Sequence, residues 1–271
     1  MGNMELLAGA LQYLENHLED EIGTEDVAAA CFCSRSTLEK LFRCVNNISV
    51  REYLVRRRMM KAARRLAEEP QVSILDVALQ YGYGSNEAFC RAFKQIWNCK
   101  PSEFRERQSG KSSHFSELFP RLTSPVENGD AYMRTRNAVD ISELYDFFTE
   151  RKDCYFVCCD IQNLIPINDF SRKAGDIAIL TSMQRMEAAA GENDIVFRIG
   201  GDEFALLTDS TEEAYAQSVA DKIKAENGKA FEAEGKEFPL GLYTAVARFD
   251  APHIRYQELF TGLHKAIEDC K

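Results

Sequence analysis

The chain has 271 residues, enough for two domains of ordinary size. It contains no apolar run of the roughly 20 residues that cross a membrane, and no signal-peptide pattern, so we expect a cytoplasmic protein without a membrane partner. The nine cysteines show no C-x-x-C spacing, which argues against a zinc site or a disulfide framework.

Charge is distributed unevenly along the chain. The net charge of −10 comes entirely from residues 109–271, because residues 1–108 hold equal numbers of acidic and basic side chains. Within that first part, residues 1–34 contain no lysine or arginine, whereas residues 35–65 contain ten basic and two acidic side chains. Such an excess is expected of a surface that meets the phosphate backbone of DNA, and a solvated basic helix would have the same composition.

The first hundred residues contain a repeat. The tripeptide Asp26-Val27-Ala28 recurs 50 residues later as Asp76-Val77-Ala78, and Ser34 has a counterpart in Ser85. Each copy predicts an apolar helix, a short break, a serine N-cap and a second helix with apolar residues at i and i+4. This arrangement is a helix-turn-helix, and it occurs twice.

Further helix signals surround the two copies. Leucines at helical spacing predict an opening helix, and the capping box formed by Ser49 and Glu52 starts a long basic helix. Ser73 begins the next helix and Gly82 ends it, while Pro101 opens a last short helix. Residues 1–108 are therefore predicted to be all-α.

Seven helices with two helix-turn-helix copies closely resemble the DNA-binding domain of the AraC/XylS family. The matching residues include Tyr53-Leu54, Arg58, Ala62, Gly82-Tyr83, Phe93-Lys94, Pro101 and Phe104-Arg105. The resemblance implies a domain that binds double-stranded DNA, and it makes Arg58 an inward, structural arginine. The family's first turn usually carries glycine where this chain has Phe32. Because a turn with positive φ tolerates phenylalanine poorly, we expect the first copy to pack differently and to bind DNA more weakly.

Candidate DNA contacts lie on the second helix of each copy, opposite its apolar stripe. By resemblance most of these positions match base contacts of the family, while Arg43 and Lys94 are assigned to phosphates. Arg91 suits a guanine edge and Asn86 an adenine edge. The predicted DNA-binding residues are Ser36, Glu39, Lys40, Arg43, Asn86, Glu87, Cys90, Arg91 and Lys94.

Residues 109–131 are polar and predict a linker. The remaining residues, 132–271, predict an α+β domain. Its elements in chain order are a helix, a strand at 154–161, a helix at 174–190, a hairpin at 194–208, a helix at 212–226, a strand at 240–247 and a helix at 255–270.

The predicted hairpin carries the most informative motif of the chain, Gly200-Gly201-Asp202-Glu203-Phe204, preceded by Arg198. Two glycines permit a tight turn, and adjacent carboxylates at its tip suit a divalent cation and a phosphate. The motif resembles the signature of GGDEF domains, the diguanylate cyclases that make cyclic di-GMP from two GTP. This resemblance covers nearly all of 132–271 and implies a palm-like, nucleotide cyclase-like fold. The alternative is a glycine-rich hairpin with solvated acids.

The GGDEF resemblance assigns roles to individual residues. Asp160 and Asp202 match metal ligands, which implies Mg²⁺ when a nucleotide binds, and Glu203 matches the residue that activates the attacking hydroxyl. Asn168 and Asp176 match the pair that hydrogen-bonds guanine. The predicted nucleotide-binding residues are Asn168, Asp176, Gly200, Gly201 and Lys271.

The chain also departs from the GGDEF pattern. Gln162 replaces the second metal-binding aspartate, and Ile165 replaces a phosphate-binding lysine. An inhibitory R-x-x-D site keeps Asp194 but has Gly191 in place of its arginine. Condensing two GTP requires strong neutralisation of triphosphate charge. We therefore expect a degenerate domain that binds GTP, GDP or cyclic di-GMP and turns over GTP poorly or not at all.

The combined hypothesis is a sequence-specific transcriptional regulator, not an enzyme, whose GGDEF-like domain acts as a sensor or a dimerisation domain. Its expected partners are double-stranded DNA, a guanine nucleotide and a second copy of the chain. One alternative is an active diguanylate cyclase that depends on DNA occupancy. Another is a DNA-binding protein whose GGDEF-like half is only an assembly module.

Overall fold

The computed structural model describes residues 3–46, 48–108, 141–151, 153–249 and 256–270. Its described residues form two compact units, one of residues 3–108 with the helix at 141–150, and one of residues 151–270. Within these ranges, none of the helices combines the length and the apolar character that crossing a bilayer requires. The predicted linker, 109–131, lies outside the described residues.

The amino-terminal unit is entirely helical in its described part. Its helices are α1 (Asn3–Asn16), α2 (Thr24–Ala30), α3 (Arg35–Asn46), α4 (Val50–Glu68), α5 (Ile74–Gln80), α6 (Asn86–Trp97), α7 (Pro101–Gln108) and α8 (Ile141–Glu150). The predicted capping box is present at the start of α4, where Glu52 N donates to Ser49 Oγ at 3.1 Å and Ser49 N donates to the Glu52 carboxylate at 2.8 Å. The all-α prediction for this part of the chain is confirmed.

The two helix-turn-helix turns have the same backbone geometry. Phe32 N donates to Ala29 O at 3.1 Å and Cys33 N to Ala28 O at 3.0 Å, and the equivalent bonds of the Gly82 turn measure 3.1 and 2.9 Å. Phe32 has φ +53° and Gly82 has φ +78°. The expectation that the first copy packs differently is therefore wrong. Phe32 adopts the left-handed conformation itself, and its side chain, 94% exposed, leaves the core undisturbed.

The core of this unit is built from the predicted apolar stripes. Leu7, Leu11 and Leu14 of α1 are fully buried, as are Phe42 of α3 and Phe89 of α6. Each helix-turn-helix therefore buries one face of its second helix and leaves the opposite face open to solvent.

Two consecutive arginines of α4 have structural roles. Arg58 donates to the carbonyls of Leu18 and Asp20, at 2.8 and 2.6 Å, and so closes the chain that follows α1. The fully buried arginine is its neighbour Arg57, which donates to both carboxylate oxygens of Glu15 at 2.6 and 2.9 Å. The resemblance had pointed to Arg58 alone.

Arg57 also holds α8. Its guanidinium donates to the carbonyl of Ser142 at 2.9 Å and to the carboxylate of Asp146. Leu144 and Phe148 of the same helix are buried as well. These contacts fasten the helix to α4, and it groups with the amino-terminal unit. The predicted start of the carboxyl-terminal domain, at 132, lies outside the described residues and stays a prediction.

The carboxyl-terminal unit has an α+β fold, as predicted. Its strands are β1 (Cys154–Ile161), β2 (Ile195–Arg198), β3 (Glu203–Leu207), β4 (Ala230–Ala233), β5 (Lys236–Pro239) and β6 (Leu242–Phe249). Its helices are α9 (Leu164–Phe170), α10 (Arg172–Ala189), α11 (Glu213–Ala225) and α12 (Tyr256–Glu268). The main sheet is antiparallel with the order β2-β3-β1-β6, and β4 and β5 form a separate hairpin.

Alternation along β1 decides which side chains face which helices. Val157, Cys159 and Ile161 pack in one core with residues of α10 and α11. The intervening residues, including Asp160, point to the other face. In the sheet register Asp160 lies opposite Glu203 of β3, so the two carboxylates share that second face.

Candidate functional site

The recognition helix of the first copy, α3, begins at a serine cap, where Thr37 N donates to Ser34 Oγ at 3.1 Å. Of the predicted contacts on α3, Ser36, Lys40 and Arg43 are exposed and Glu39 is half-buried. Glu39 accepts a hydrogen bond from Thr24 Oγ1 at 3.4 Å, so it also contacts its own domain.

The recognition helix of the second copy, α6, also starts at a serine, with Ala88 N donating to Ser85 Oγ at 3.2 Å. Asn86, Glu87, Arg91 and Lys94 are exposed, and Cys90 is half-buried with its thiol 3.6 Å from Asn86 Oδ1. The structure thus brings the predicted contacts of each copy onto one accessible face.

Three cations on these two faces have no partner among the described residues. The side chains of Lys40, Arg91 and Lys94 make neither an ion pair nor a hydrogen bond there. An unpaired, exposed cation on a recognition helix is free to meet a phosphate or a base edge at no cost of breaking another contact.

In the carboxyl-terminal unit, the turn between β2 and β3 is tied by its own backbone. The amides of Ile199 and Gly200 both donate to the carbonyl of Glu203, at 2.9 and 3.2 Å. Arg198 folds back over the turn, with Nε donating to Gly200 O at 2.9 Å and a terminal nitrogen donating to Gly201 O. Arg198 therefore provides hydrogen-bond donors for the carbonyls of both glycines and stabilises the turn.

The two glycines of this turn are not equivalent. A Cβ on Gly200 would lie 2.5 Å from Oε2 of Glu203, so the close approach of that carboxylate requires glycine. A Cβ on Gly201 would meet nothing within 4 Å, and neither residue has the left-handed φ that would demand glycine. A tight turn in which a Cβ would clash is therefore found at Gly200, and it is not found at Gly201, which borders open space.

Asp160, at the end of β1, lies opposite Glu203 of the hairpin in the sheet register. Asp160 and Glu203 are buried, with 3% and 9% of their surface exposed, and Ile161 N donates to Asp202 O at 3.1 Å. His264 of α12 places Nδ1 2.9 Å from Glu203 Oε1. His264 was not predicted from the sequence, because no motif links α12 to the hairpin and only the folded register brings them together.

This geometry bears on the Mg²⁺ site predicted at Asp160 and Asp202. Within the described ranges, no group of three or more His, Cys, Asp or Glu side chains is arranged to hold a metal ion. Gln162 lies across Gly241, where a Cβ would be 2.4 Å from its Oε1, so it does not replace the missing carboxylate. Asp160 and Asp202 therefore fit Mg²⁺ only if other oxygens, such as those of a phosphate, complete its shell.

The predicted guanine pair lies at the junction of α9 and α10. Asn168 and Asp176 are both exposed. A Cβ on Gly175 would lie 1.8 Å from Asn168 Oδ1, so glycine is what lets Asn168 lie against the first turn of α10, one residue from Asp176. Ile165, on the same helix as Asn168, is 74% exposed. Lys271 lies outside the described residues.

Asp194, the remnant of the inhibitory motif, is used within the fold. It is 2% exposed and accepts hydrogen bonds from Gly191 N, Asp209 N and Tyr215 Oη at 2.7, 2.9 and 2.6 Å. Burial and the bond to Asp194 raise the pKa of Tyr215 to about 12. Through these hydrogen bonds the carboxylate of Asp194 connects the loop before β2 with the loop after β3 and with α11.

Comparison with known proteins separates the two parts of the chain. Residues 27–107 match the model of a helix-turn-helix domain, and residues 139–271 match that of the diguanylate cyclase, GGDEF domain. A structure described as an EAL/GGDEF domain protein from M. capsulatus is 21% identical, covering 46% of this chain and 84% of the other with a TM-score of 0.40.

Curated relatives match the amino-terminal part. YkgA of Escherichia coli strain K12 is 35% identical over 107 residues, which are 40% of this chain and 44% of YkgA. PqrA of Proteus vulgaris is 34% identical over 106 residues, which are 38% of this chain and 86% of PqrA. The chain thus spans less than half of YkgA and most of PqrA.

Proposed function

Because this chain belongs to the AraC-type helix-turn-helix family and carries a GGDEF domain, we propose that it is a sequence-specific DNA-binding transcriptional regulator. The observation that carries this proposal is the pair of serine-capped recognition helices, α3 and α6, with the unpartnered cations Lys40, Arg91 and Lys94 on their open faces, as far as the described residues extend. The names of YkgA and PqrA, which describe a transcriptional regulator and a transcription factor, support it.

Selection of binding sites from random duplexes with the full chain tests this function. Arg91→Ala is expected to relax preference at one base pair by roughly 1–3 kcal/mol, whereas Lys94→Ala weakens binding to all sequences alike and lowers the salt dependence. Lys229→Ala, which removes an exposed cation from the other unit, is the matched control and leaves binding unchanged. Equal affinity of the native chain for selected and random duplexes at physiological salt would contradict the proposal.

We further propose that the GGDEF domain binds a guanine nucleotide and turns it over little, so that it acts as a sensor. The accessible pair Asn168 and Asp176 would meet the guanine edge, and the open space at Gly201 would admit phosphate oxygens that share Mg²⁺ with Asp160 and Asp202. The exposed Ile165 supplies no charge, which weakens phosphate neutralisation in the transition state more than binding in the ground state.

Titration of the pure chain with GTP and Mg²⁺, with product analysis in the same tube, tests the sensor proposal. We expect binding that requires a divalent cation and falls with Asp202→Ala, and negligible cyclic di-GMP. Ile165→Lys restores a cation and is expected to tighten GTP binding about tenfold, the size of one charge-assisted contact. Gln217→Lys, which adds an equal charge on the exposed face of α11, is the control.

Two other outcomes favour the competing functions. The intact set of Asp160, Asp202 and Glu203 at one sheet edge keeps a working cyclase as the second candidate. Steady cyclic di-GMP production that Glu203→Ala abolishes would establish the cyclase. If no guanine nucleotide binds, the domain is an assembly module, and a concentration-dependent dimer in sedimentation would be its expected property.

A further inference from the structure

The carboxyl-terminal unit contains a cavity whose lining does not include the hairpin carboxylates. It has a volume of about 530 Å³ and lies between the loop after β1, the helix α9 and the β4–β5 hairpin. Neither the carboxylates of the GGDEF turn nor Asn168 and Asp176 line it. Its size falls within the range of pockets that hold small molecules.

The frame of this cavity is braced by backbone hydrogen bonds. Gln162 N donates to Gly241 O at 2.9 Å, and Gly228 N donates to Leu240 O at 3.0 Å. Arg185 donates to the carbonyls of Leu240 and Lys229, at 2.9 and 2.7 Å. These bonds hold the walls in place without a ligand, so binding does not have to order them.

The walls are mainly apolar. Ile167 and Phe238 are almost completely buried at 5% and 7% exposure, and Leu240 is fully buried. The apolar lining consists of Pro166, Ile167, Phe238, Pro239 and Leu240. Such a surface favours an aromatic or aliphatic body in the ligand.

One side-chain amide, that of Gln162, lies in the lining of the cavity. Gln162 lies across Gly241, and any Cβ at that position would come within 2.4 Å of its Oε1. Glycine at 241 is therefore what allows the amide to lie there, where it offers one acceptor and two donors to a ligand.

The charge at the rim points to an anion. Lys236 Nζ lies 4.8 Å from the ring centre of Phe170 and 5.0 Å from that of Phe238, and it makes no ion pair with any described residue. Among the described lining residues it is the one cation, and Glu237 lies beside it. Lys236 and Glu237 are consecutive residues of β5, so their side chains point to opposite faces of the strand and do not pair with each other. The single ammonium group of Lys236 balances one negative charge and not the two or more of a phosphate ester.

We propose that this cavity binds a small monocarboxylate with an aromatic or aliphatic body. The carboxylate meets Lys236, the apolar body packs against the exposed rings of Pro166 and Pro239, and Gln162 hydrogen-bonds to the ligand's polar edge. The site is independent of the guanine nucleotide proposed above, because it uses none of the same residues.

Amide NMR spectra of the full chain, titrated with benzoate and with benzamide as its neutral counterpart, test the proposal. Benzoate is expected to shift the resonances of Gln162, Ile167 and Phe238, and to bind more tightly than benzamide. Lys236→Met keeps the aliphatic stem and is expected to weaken benzoate about tenfold, while benzamide binding is unchanged. Lys229→Met, a cation outside the lining, is the matched control.

The outcomes separate this site from the nucleotide site. Benzoate is expected to shift the same resonances in the presence and in the absence of GTP. A failure of GTP to bind would therefore contradict the nucleotide proposal and leave the benzoate result unchanged. Gln162→Ala is expected to weaken benzoate and benzamide together. Benzoate that binds Lys236→Met as tightly as the native chain, that shifts residues elsewhere, or that causes no shift up to its solubility would overturn the proposal.

Discussion

Phe32 has a backbone conformation that usually belongs to glycine. Its φ is +53° in a turn whose counterpart has Gly82 at +78°, and its ring is 94% exposed. A side chain in the left-handed region costs roughly 1–2 kcal/mol, and this one recovers little by packing. The sequence identified the position as unusual but not the outcome, because the turn's two hydrogen bonds outweigh the local preference of one residue.

Exchange of the turn residues is expected to have opposite effects in the two copies. Phe32→Gly should raise the free energy of unfolding by about 1 kcal/mol, because it removes the strain and little contact area. Gly82→Ala should lower it by a similar amount, because alanine must take a positive φ there. Thermal and urea unfolding measure both variants. A destabilising Phe32→Gly would mean that the ring makes a contact that the turn geometry does not explain.

The cysteines divide into reactive and inert groups. Burial raises the pKa of the Cys158 thiol to about 12 and that of Cys159 well above its usual range, whereas Cys44 and Cys270 are exposed. Cys158 and Cys159 therefore pack as small buried hydrophobes.

Alkylation by iodoacetamide at neutral pH, followed by peptide mass mapping, checks this division. Cys44 and Cys270 are expected to be labelled, because they are exposed. Cys158 and Cys159 should stay unlabelled until the chain is unfolded in urea, which serves as the positive control. Early labelling of Cys158 would show that the sheet opens at β1.

At the scale of elements, the sequence did not predict that the buried Arg57 of α4 would hold α8. Burial alone would lower the pKa of Arg57, yet the carboxylates of Asp146 and Glu15 raise it well above its ordinary value. Arg64 adds a further ion pair to Asp146 at 3.4 Å. A buried cation of this kind cannot be inferred from the run Arg56-Arg57-Arg58, because its partners lie 42 and 89 residues away.

Removal of one partner should therefore be costly. Asp146→Asn is expected to lower the free energy of unfolding by roughly 3–5 kcal/mol, because it leaves Arg57 buried with less compensation. Glu69→Gln, which breaks the exposed i,i+4 pair with Arg65, should cost less than about 1 kcal/mol. Urea unfolding of both variants makes the comparison, and equal effects would show that α8 is not fastened through Arg57.

Long, periodic or capped elements were predictable, and short ones were not. The bounds of β1 and the capped start of α4 follow directly from apolar content and the Ser49–Glu52 box. The sequence missed α9, because Pro166 in its first turn is typical of a break, and it missed β4 and β5, because four-residue strands rich in Glu and Lys look like a loop. These missed elements form the cavity at Lys236.

On the scale of the whole molecule, the charge composition changes where the DNA-binding part of the chain ends. The acidic excess belongs to residues 109–271, and the basic segment 35–65 includes the recognition helix α3 and most of α4. Two DNA-binding helices could be predicted from the repeat, since a motif that occurs twice at a fixed interval is visible in the sequence alone. The proposed nucleotide site could be predicted only by resemblance, because its residues come from four separate elements.

Hydroxyl-radical footprinting of the full chain on its selected duplex tests the central claim most directly. Two recognition helices in one unit are expected to protect two successive segments on one face of the DNA, about 34 Å apart. Arg91→Ala should weaken protection in one segment and Lys40→Ala in the other. A single protected segment, or uniform protection that does not depend on sequence, would contradict DNA recognition by both copies.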